Sequence, residues 1–269
     1  MEQSLRPLLD EVIALVGRAG EAVLEIYRAG PGDVILKADA SPLTLADQRS
    51  HLILQAGLEA LQVGPVLSEE GRSIPFPERR GWHQYWLVDP LDGTKEFIKR
   101  NGEFTVNVAL VRDGVPVLGV VGVPALGETF YGAQDVGAFR IAGQGLPPVS
   151  LRTGTKASDF PWRVTGSRSH GDERTAAFLS GLGAHAFLPL GSSLKLCRIA
   201  EGAMDLYPRF GPTSEWDIAA AQCVLEQAGG AVLDWESGQP LRYNQRDSLR
   251  NGAFVALADP RWFGMLPRV

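Results

Sequence analysis

Two carboxylates three residues apart, Asp89 and Asp92, stand in the stretch Tyr85-Trp86-Leu87-Val88-Asp89-Pro90-Leu91-Asp92-Gly93-Thr94. Tyr85 to Val88 are apolar and rich in strand formers, so they predict a buried strand that delivers Asp89 to the point where the chain leaves the core. Pro90 has no amide hydrogen to give a ladder and is expected to stop that strand, while Gly93 permits the backbone angle of a tight reversal. Such a turn brings both acids to one point with Thr94 just beyond. Like charges that close repel, and no Arg or His lies within the motif, so a hard divalent cation held by oxygen atoms is the economical partner. Pro followed by Asp-Gly is also ordinary turn chemistry, in which the two acids are turn formers and nothing more.

Further residues have types suited to the same chemistry. Pro65-Val66-Leu67 repeats the design, an apolar strand feeding acids in Ser68-Glu69-Glu70-Gly71. Asp47 and Asp217 each close a capping-box pattern, Thr44-Leu45-Ala46-Asp47 and Ser214-Glu215-Trp216-Asp217, so each is either a helix cap or a member of the site. Gly191-Ser192-Ser193-Leu194-Lys195 follows an apolar strand and opens a helix, which would turn amides, two hydroxyls and an ammonium toward an anion. It lacks the spacing of a P-loop, and Ser192 serves equally as a simple cap. Ser167-Arg168-Ser169-His170 reads as a polar loop or a ligand contact, and Arg209 as a solvated charge or a phosphate clamp.

The elements that must position these residues follow from periodicity. Leu5, Leu8, Leu9, Val12, Ile13, Val16, Ala19, Val23 and Ile26 recur at helical spacing, and Gly30-Pro31-Gly32 ends that helix. Val34 to Leu36 is a short strand, and a turn at residues 39–42 leads to a helix over about 45–61. The Pro-, Arg- and Gly-rich run from Arg72 to Trp82 reads as a mobile loop. Residues 104–111 and 115–123 form a hairpin about Asp113-Gly114, which residues 130–131 and 138–141 extend as an antiparallel sheet. Gly143 to Pro148 breaks the pattern and suggests a boundary near residue 150. Beyond it strands near 163–165, 186–190, 205–207 and 231–233 alternate with helices near 172–181, 192–201 and 215–228, the last capped by Gly229-Gly230. The expectation is an α+β part over 1–150, carrying most of the metal ligands, then an α/β part over 151–269 with substrate-recognition loops and one ligand.

The 269 residues are 45% hydrophobic and 21% charged with a net charge of −5, the composition of a globular protein without a basic field for nucleic acid. No run is apolar for the length a membrane span needs, and the start lacks the pattern of a secretory signal, so a cytoplasmic location is expected, with peripheral attachment at an inner membrane left open. Cys197 and Cys223 sit in apolar helical patterns and read as buried thiols.

Taken together, Glu69-Glu70, Asp89-Pro90-Leu91-Asp92-Gly93-Thr94 and Trp216-Asp217 through Ala228-Gly229-Gly230 resemble the lithium-sensitive, magnesium-dependent phosphatases of the inositol monophosphatase superfamily. Leu91 through Phe104, with Gly191 to Lys195 and Tyr207 to Thr213, is similar to its CysQ-type branch, the 3'(2'),5'-bisphosphate nucleotidases. The resemblance spans nearly the whole chain. It implies a layered αβαβα sandwich of the inositol monophosphatase and fructose-1,6-bisphosphatase type. It implies metal binding by Glu69, Asp89, the Leu91 carbonyl, Asp92 and Asp217, and a water oriented or activated by Asp47 and Thr94. Gly93 and Thr94 amides would receive phosphate; Gly191, Ser192, Lys195, Arg209 and His170 are expected as substrate contacts from the residues themselves, not from an assignment by the family. The implied cofactor is Mg2+, two or three ions, with inhibition by Li+. The implied reaction is hydrolysis of the 3'-phosphate of adenosine 3',5'-bisphosphate, or of its sulfated form, in sulfur assimilation and nucleotide recycling, by a monomer or homodimer. Where the inositol phosphatases carry a Glu for inositol hydroxyls, this chain has Arg209, whose planar fork suits a second phosphate. Inositol 1-phosphate hydrolysis is the alternative activity, a phospho-aspartate enzyme is disfavoured by the Asp-Pro-Leu-Asp spacing, and a metal- and bisphosphate-binding module without turnover is the non-enzymatic alternative.

Overall fold

Alternation along the apolar strands sorts their side chains onto two faces, and both faces are covered. A computed structural model of the chain describes residues 4–29, 34–36, 42–143, 145–155, 160–168 and 173–269. His170 and most of the turn expected at 39–42 lie outside the described residues. The first half runs α1 (Arg6–Ala29), β1 (Val34–Leu36), β2 (Pro42–Thr44), α2 (Leu45–Ala60), β3 (Val66–Ser68), α3 (Phe76–Arg79), β4 (Gln84–Asp92), α4 (Thr94–Lys99), β5 (Thr105–Arg112), β6 (Val115–Val123), β7 (Glu128–Ala133), β8 (Gly137–Ile141) and β9 (Val149–Ser150). The second half runs β10 (Trp162–Ser167), α5 (Glu173–Leu182), β11 (His185–Leu190), α6 (Leu194–Ala200), β12 (Leu206–Arg209), a 3-10 turn (Glu215–Asp217), α7 (Ala219–Gln227), β13 (Ala231–Asp234) and β14 (Phe254–Leu257).

Strands β3 to β9 pair in sequence order into one sheet, with β3 parallel to β4 and the other pairs antiparallel. Trp86, Val88, Val106, Val108 and Val120 on one face bury against Leu9, Val12, Val16 and Leu54 of α1 and α2. Tyr85, Leu87, Ala109 and Val121 on the other face meet Leu196, Cys197, Ala220 and Val224 of α6 and α7. The second sheet, in the order β11-β10-β12-β14-β13, lies across the same helices, which Tyr207, Val232 and Ala256 touch. Its far face, with Leu206, Leu233 and Val255, packs on Phe178 of α5. The layers are therefore helix, sheet, helix, sheet, helix, the sandwich the resemblance implies.

Four local features differ from the sequence reading. β4 continues through Pro90, because a shift of register between Asp89 and Asp92 spares the missing amide and pairing resumes at Asp92 with Thr105. The run 72–82 contains α3 and a buried arginine. The helix expected over 215–228 is interrupted at Ile218, whose φ of −118° separates the 3-10 turn from α7. β14, with no helix before it, enters antiparallel between β12 and β13, so the second sheet is mixed. The two cysteines are buried and unpaired, as expected.

Candidate active site

The strand ends bring the acids together. After β3 the chain keeps pairing with β4, Glu69 N–H donating to the Val88 carbonyl at 3.1 Å, which sets Glu69 beside the bulge of β4. Asp89 stands at that bulge, 1% exposed, with its Oδ1 accepting from the Leu91 amide at 3.1 Å. Ser50 on α2 donates to the Pro90 carbonyl at 2.7 Å, so the first turns of that helix, which carry Asp47, abut the bulge. Asp217 arrives from the other half of the chain in the expected capping box, its Oδ2 accepting from Ser214 N–H at 2.9 Å. The sequence left Asp217 as a cap or a site residue; it is a cap whose carboxylate also faces the other acids.

Oxygen atoms of Glu69, Asp89 and Asp217 lie within 4.8 Å of one another. Asp92 adds its charge from the side: its field, after burial itself, is the largest influence raising the Asp217 carboxyl well above the ordinary carboxylate range. Asp89 is likewise pushed well up, by burial first and then by Glu69, Asp92, Asp217 and Asp47. Asp92 rises only to about 6, because Lys195 and the Ser193 amide offset its burial. Acids crowded in this way resist ionisation unless positive charge enters, and the all-oxygen donor set fits a hard ion such as magnesium.

A cleft of about 420 Å³ opens over these acids. Glu69, Asp92, Gly93, Thr94, Gly191, Ser192, Lys195, Arg209 and Asp217 line it, while Asp89, Leu91 and Asp47 are buried. Gly93 has φ of +89°, where a side chain is strained, and heads α4 with Thr94. Of the segment expected to present donors to an anion, the Gly191 amide instead donates to Glu103 Oε2 at 2.8 Å. Lys195 donates to the Leu190 and Ser192 carbonyls, and burial, partly offset by Asp92, brings its ammonium down to about 8. Arg209 is buried rather than solvated: Nη2 donates to the Pro212 carbonyl at 2.8 Å, and Nε has no hydrogen-bond partner among the described residues. Ser167 and Thr213, from two of the segments marked in the sequence, also line the cleft, as does Arg250, which was not selected from the sequence. Arg250 is brought there by a bridge between its backbone and Ser214, a pairing with no local signal. Arg168 is taken by Glu103 at 2.8 Å and the Pro189 carbonyl at 2.8 Å.

The arrangement can hold a divalent cation beneath an anion, with Lys195, Arg209 and Arg250 lining the same cleft. The inositol monophosphatase family profile matches residues 4–262. A 3'(2'),5'-bisphosphate nucleotidase, CysQ, of Escherichia coli K12 is 46% identical over 250 residues, covering 92% of this chain and 98% of its own. The crystal structure of CysQ from Bacteroides thetaiotaomicron superposes with a TM-score of 0.82 at 39% identity, over 93% of this chain and 97% of that one. An IMPase from Thermotoga maritima shares the fold, with a TM-score of 0.75 at 24% identity over 94% and 92% of the two chains. With its acids gathered from a strand end, a β-bulge and a capped turn beneath an open cleft in a five-layer sandwich, the chain belongs to the inositol monophosphatase family.

Proposed function

We propose that the chain is a magnesium-dependent phosphoric monoester hydrolase that removes the 3'-phosphate of adenosine 3',5'-bisphosphate to give AMP and phosphate, with the sulfated nucleotide as a second substrate. The observation that carries this reading is the pairing of the acid triad with a cleft also lined by Lys195, Arg209 and Arg250, in a chain 46% identical to a 3'(2'),5'-bisphosphate nucleotidase. Glu69, Asp89, Asp92, Asp217 and the Leu91 carbonyl are the proposed holders of the cation. Magnesium bound there would neutralise phosphate charge, acidify a water and stabilise the leaving oxygen.

The chain's own groups do the rest. Asp47, buried with its charge felt at Asp89, and Thr94, on the cleft wall, orient the attacking water. The amides of Gly93 and Thr94, at the turn into α4, receive the phosphate being cleaved. Arg209 and the Ser192 to Lys195 segment hold the rest of the anion, supported by their place along one cleft.

A phosphate-release panel tests this: adenosine 3',5'-bisphosphate, its sulfated form, inositol 1-phosphate and fructose 1,6-bisphosphate at one enzyme concentration, with and without magnesium and with added lithium. The adenosine bisphosphates are expected to give the highest kcat/KM, magnesium removal to abolish turnover and lithium to inhibit it. A clear preference for inositol 1-phosphate would overturn the substrate assignment, and binding without phosphate release would overturn the enzymatic one.

A further inference from the structure

Arg79 lies in the run that composition marks as a loose loop, yet it is 1% exposed and every hydrogen bond it makes is to an oxygen of the chain. Nε donates to the Ile74 carbonyl at 3.1 Å, Nη1 to Asn244 Oδ1 and to the Arg246 carbonyl at 3.2 Å, and Nη2 to the Asp247 carbonyl. Asn244 answers with its own amide, donating from Nδ2 to the Arg79 carbonyl at 2.7 Å. A planar fork meets four acceptors fixed in direction; the ammonium of a lysine, with three donors on one atom, cannot reproduce it.

The second half of this clamp leads to the cation site. The Asn244 backbone N–H donates to both oxygens of Glu215, at 3.1 and 2.9 Å, and Glu215 opens the turn that ends in Asp217. On the near side, Ile74 and α3 descend directly from the segment of Glu69. Arg79 therefore fastens the stretch that follows one acid of the triad to the loop that grips the stretch preceding another, across 165 residues of sequence.

We propose that Arg79 is a positioning residue for the cation site, setting Glu69 against Asp217 through Asn244 and Glu215. The proposal rests on the metal assignment above. It distinguishes a tuned site from a mere strut: if the clamp only braces the fold, loosening it costs stability and leaves cation affinity alone, whereas a positioning role moves the affinity itself.

The test uses the full chain in two variants. Arg79→Lys keeps the charge and loses the fork. Asn244→Gly removes both side-chain bonds, keeps the backbone N–H that grips Glu215, and accepts the φ of +56° found there. Magnesium binding is measured by titration calorimetry without substrate, phosphate release is followed against magnesium concentration, and thermal denaturation is run in chelator. Outer-shell partners typically shift metal affinity by about 10- to 100-fold, so a weakening within that range is expected in each variant, with activity returning as magnesium is raised. Wild-type magnesium affinity in either folded variant, an activity deficit that magnesium does not relieve, or failure of both to fold would each overturn the proposal. Asp89→Asn serves as control: if it binds magnesium like the wild type, the metal assignment fails rather than the role of Arg79.

Discussion

A buried acid without a counter-charge is a liability that binding can convert into affinity. Burial and four neighbouring acids raise the Asp89 carboxyl, so the cation-free folded chain keeps a proton that the unfolded chain has already released. That contribution to stability is full below the ordinary carboxylate range and is lost as pH rises through the raised value. Asp89→Asn should therefore raise the Tm of the protein in chelator at pH 7.5, while abolishing the further rise in Tm on adding magnesium. A variant that magnesium stabilises as strongly as wild type would remove Asp89 from the ligand set. Arg209 gives the complementary case on the substrate side. If it holds the phosphate that is not cleaved, Arg209→Ala should raise KM more than it lowers kcat, with kcat/KM for adenosine 3',5'-bisphosphate down roughly 10- to 150-fold and a much smaller loss on inositol 1-phosphate. Steady-state kinetics on both substrates decide it: an equal loss on both would make Arg209 a counter-ion of Asp92 and Asp217, whose ionisation its charge favours.

At the level of elements, the middle helical layer depends on close approach. Gly119 in β6 faces α7, and a Cβ there would stand 2.2 Å from the Ala220 carbonyl oxygen and 2.9 Å from Cys223 Cβ, so backbone would have to move. Gly119→Ala should cost about 2–4 kcal/mol in urea denaturation, and a loss below about 0.5 kcal/mol would mean that α7 is not seated so tightly. Such elements divide cleanly into those a sequence announces and those it does not. α1 and the hairpin of β5 and β6 were legible because their signals are local: a helical repeat of apolar residues, and two apolar runs about Asp113-Gly114, whose φ values of +49° and +79° fit the turn. The acids Asp89 and Asp92 were legible as a pair for the same reason. Arg79 was not, since a charged residue among prolines reads as solvated and three of its four side-chain acceptors lie beyond residue 243. Nor was β14, a run of four residues whose neighbours on either side belong to other parts of the chain. Pro90 misled because a bulge, set by tertiary pairing, absorbs the amide it lacks.

Across the whole molecule, the central core draws on both halves: Tyr85, Leu87 and Val121 share one buried cluster with Leu196, Val224 and Ala256. Four charges reinforce the join, Arg140 and Arg198 each pairing with both Glu128 and Glu201. Unfolding should accordingly be a single transition, with tryptophan fluorescence and far-ultraviolet circular dichroism coinciding in urea; two separated midpoints would show that the halves melt independently. The strand order of the second sheet bears also on how the protein is made. β14, last in sequence, sits between β12 and β13, and Phe254 stands opposite Arg209. As the chain emerges from the ribosome, the first sheet can assemble with Glu69 and Asp89 already in place, while β12 and β13 wait with bare edges that invite pairing with other chains. A chain broken shortly before Phe254 would thus leave two strand edges open to other chains, and Arg209 would lack the strand that backs it.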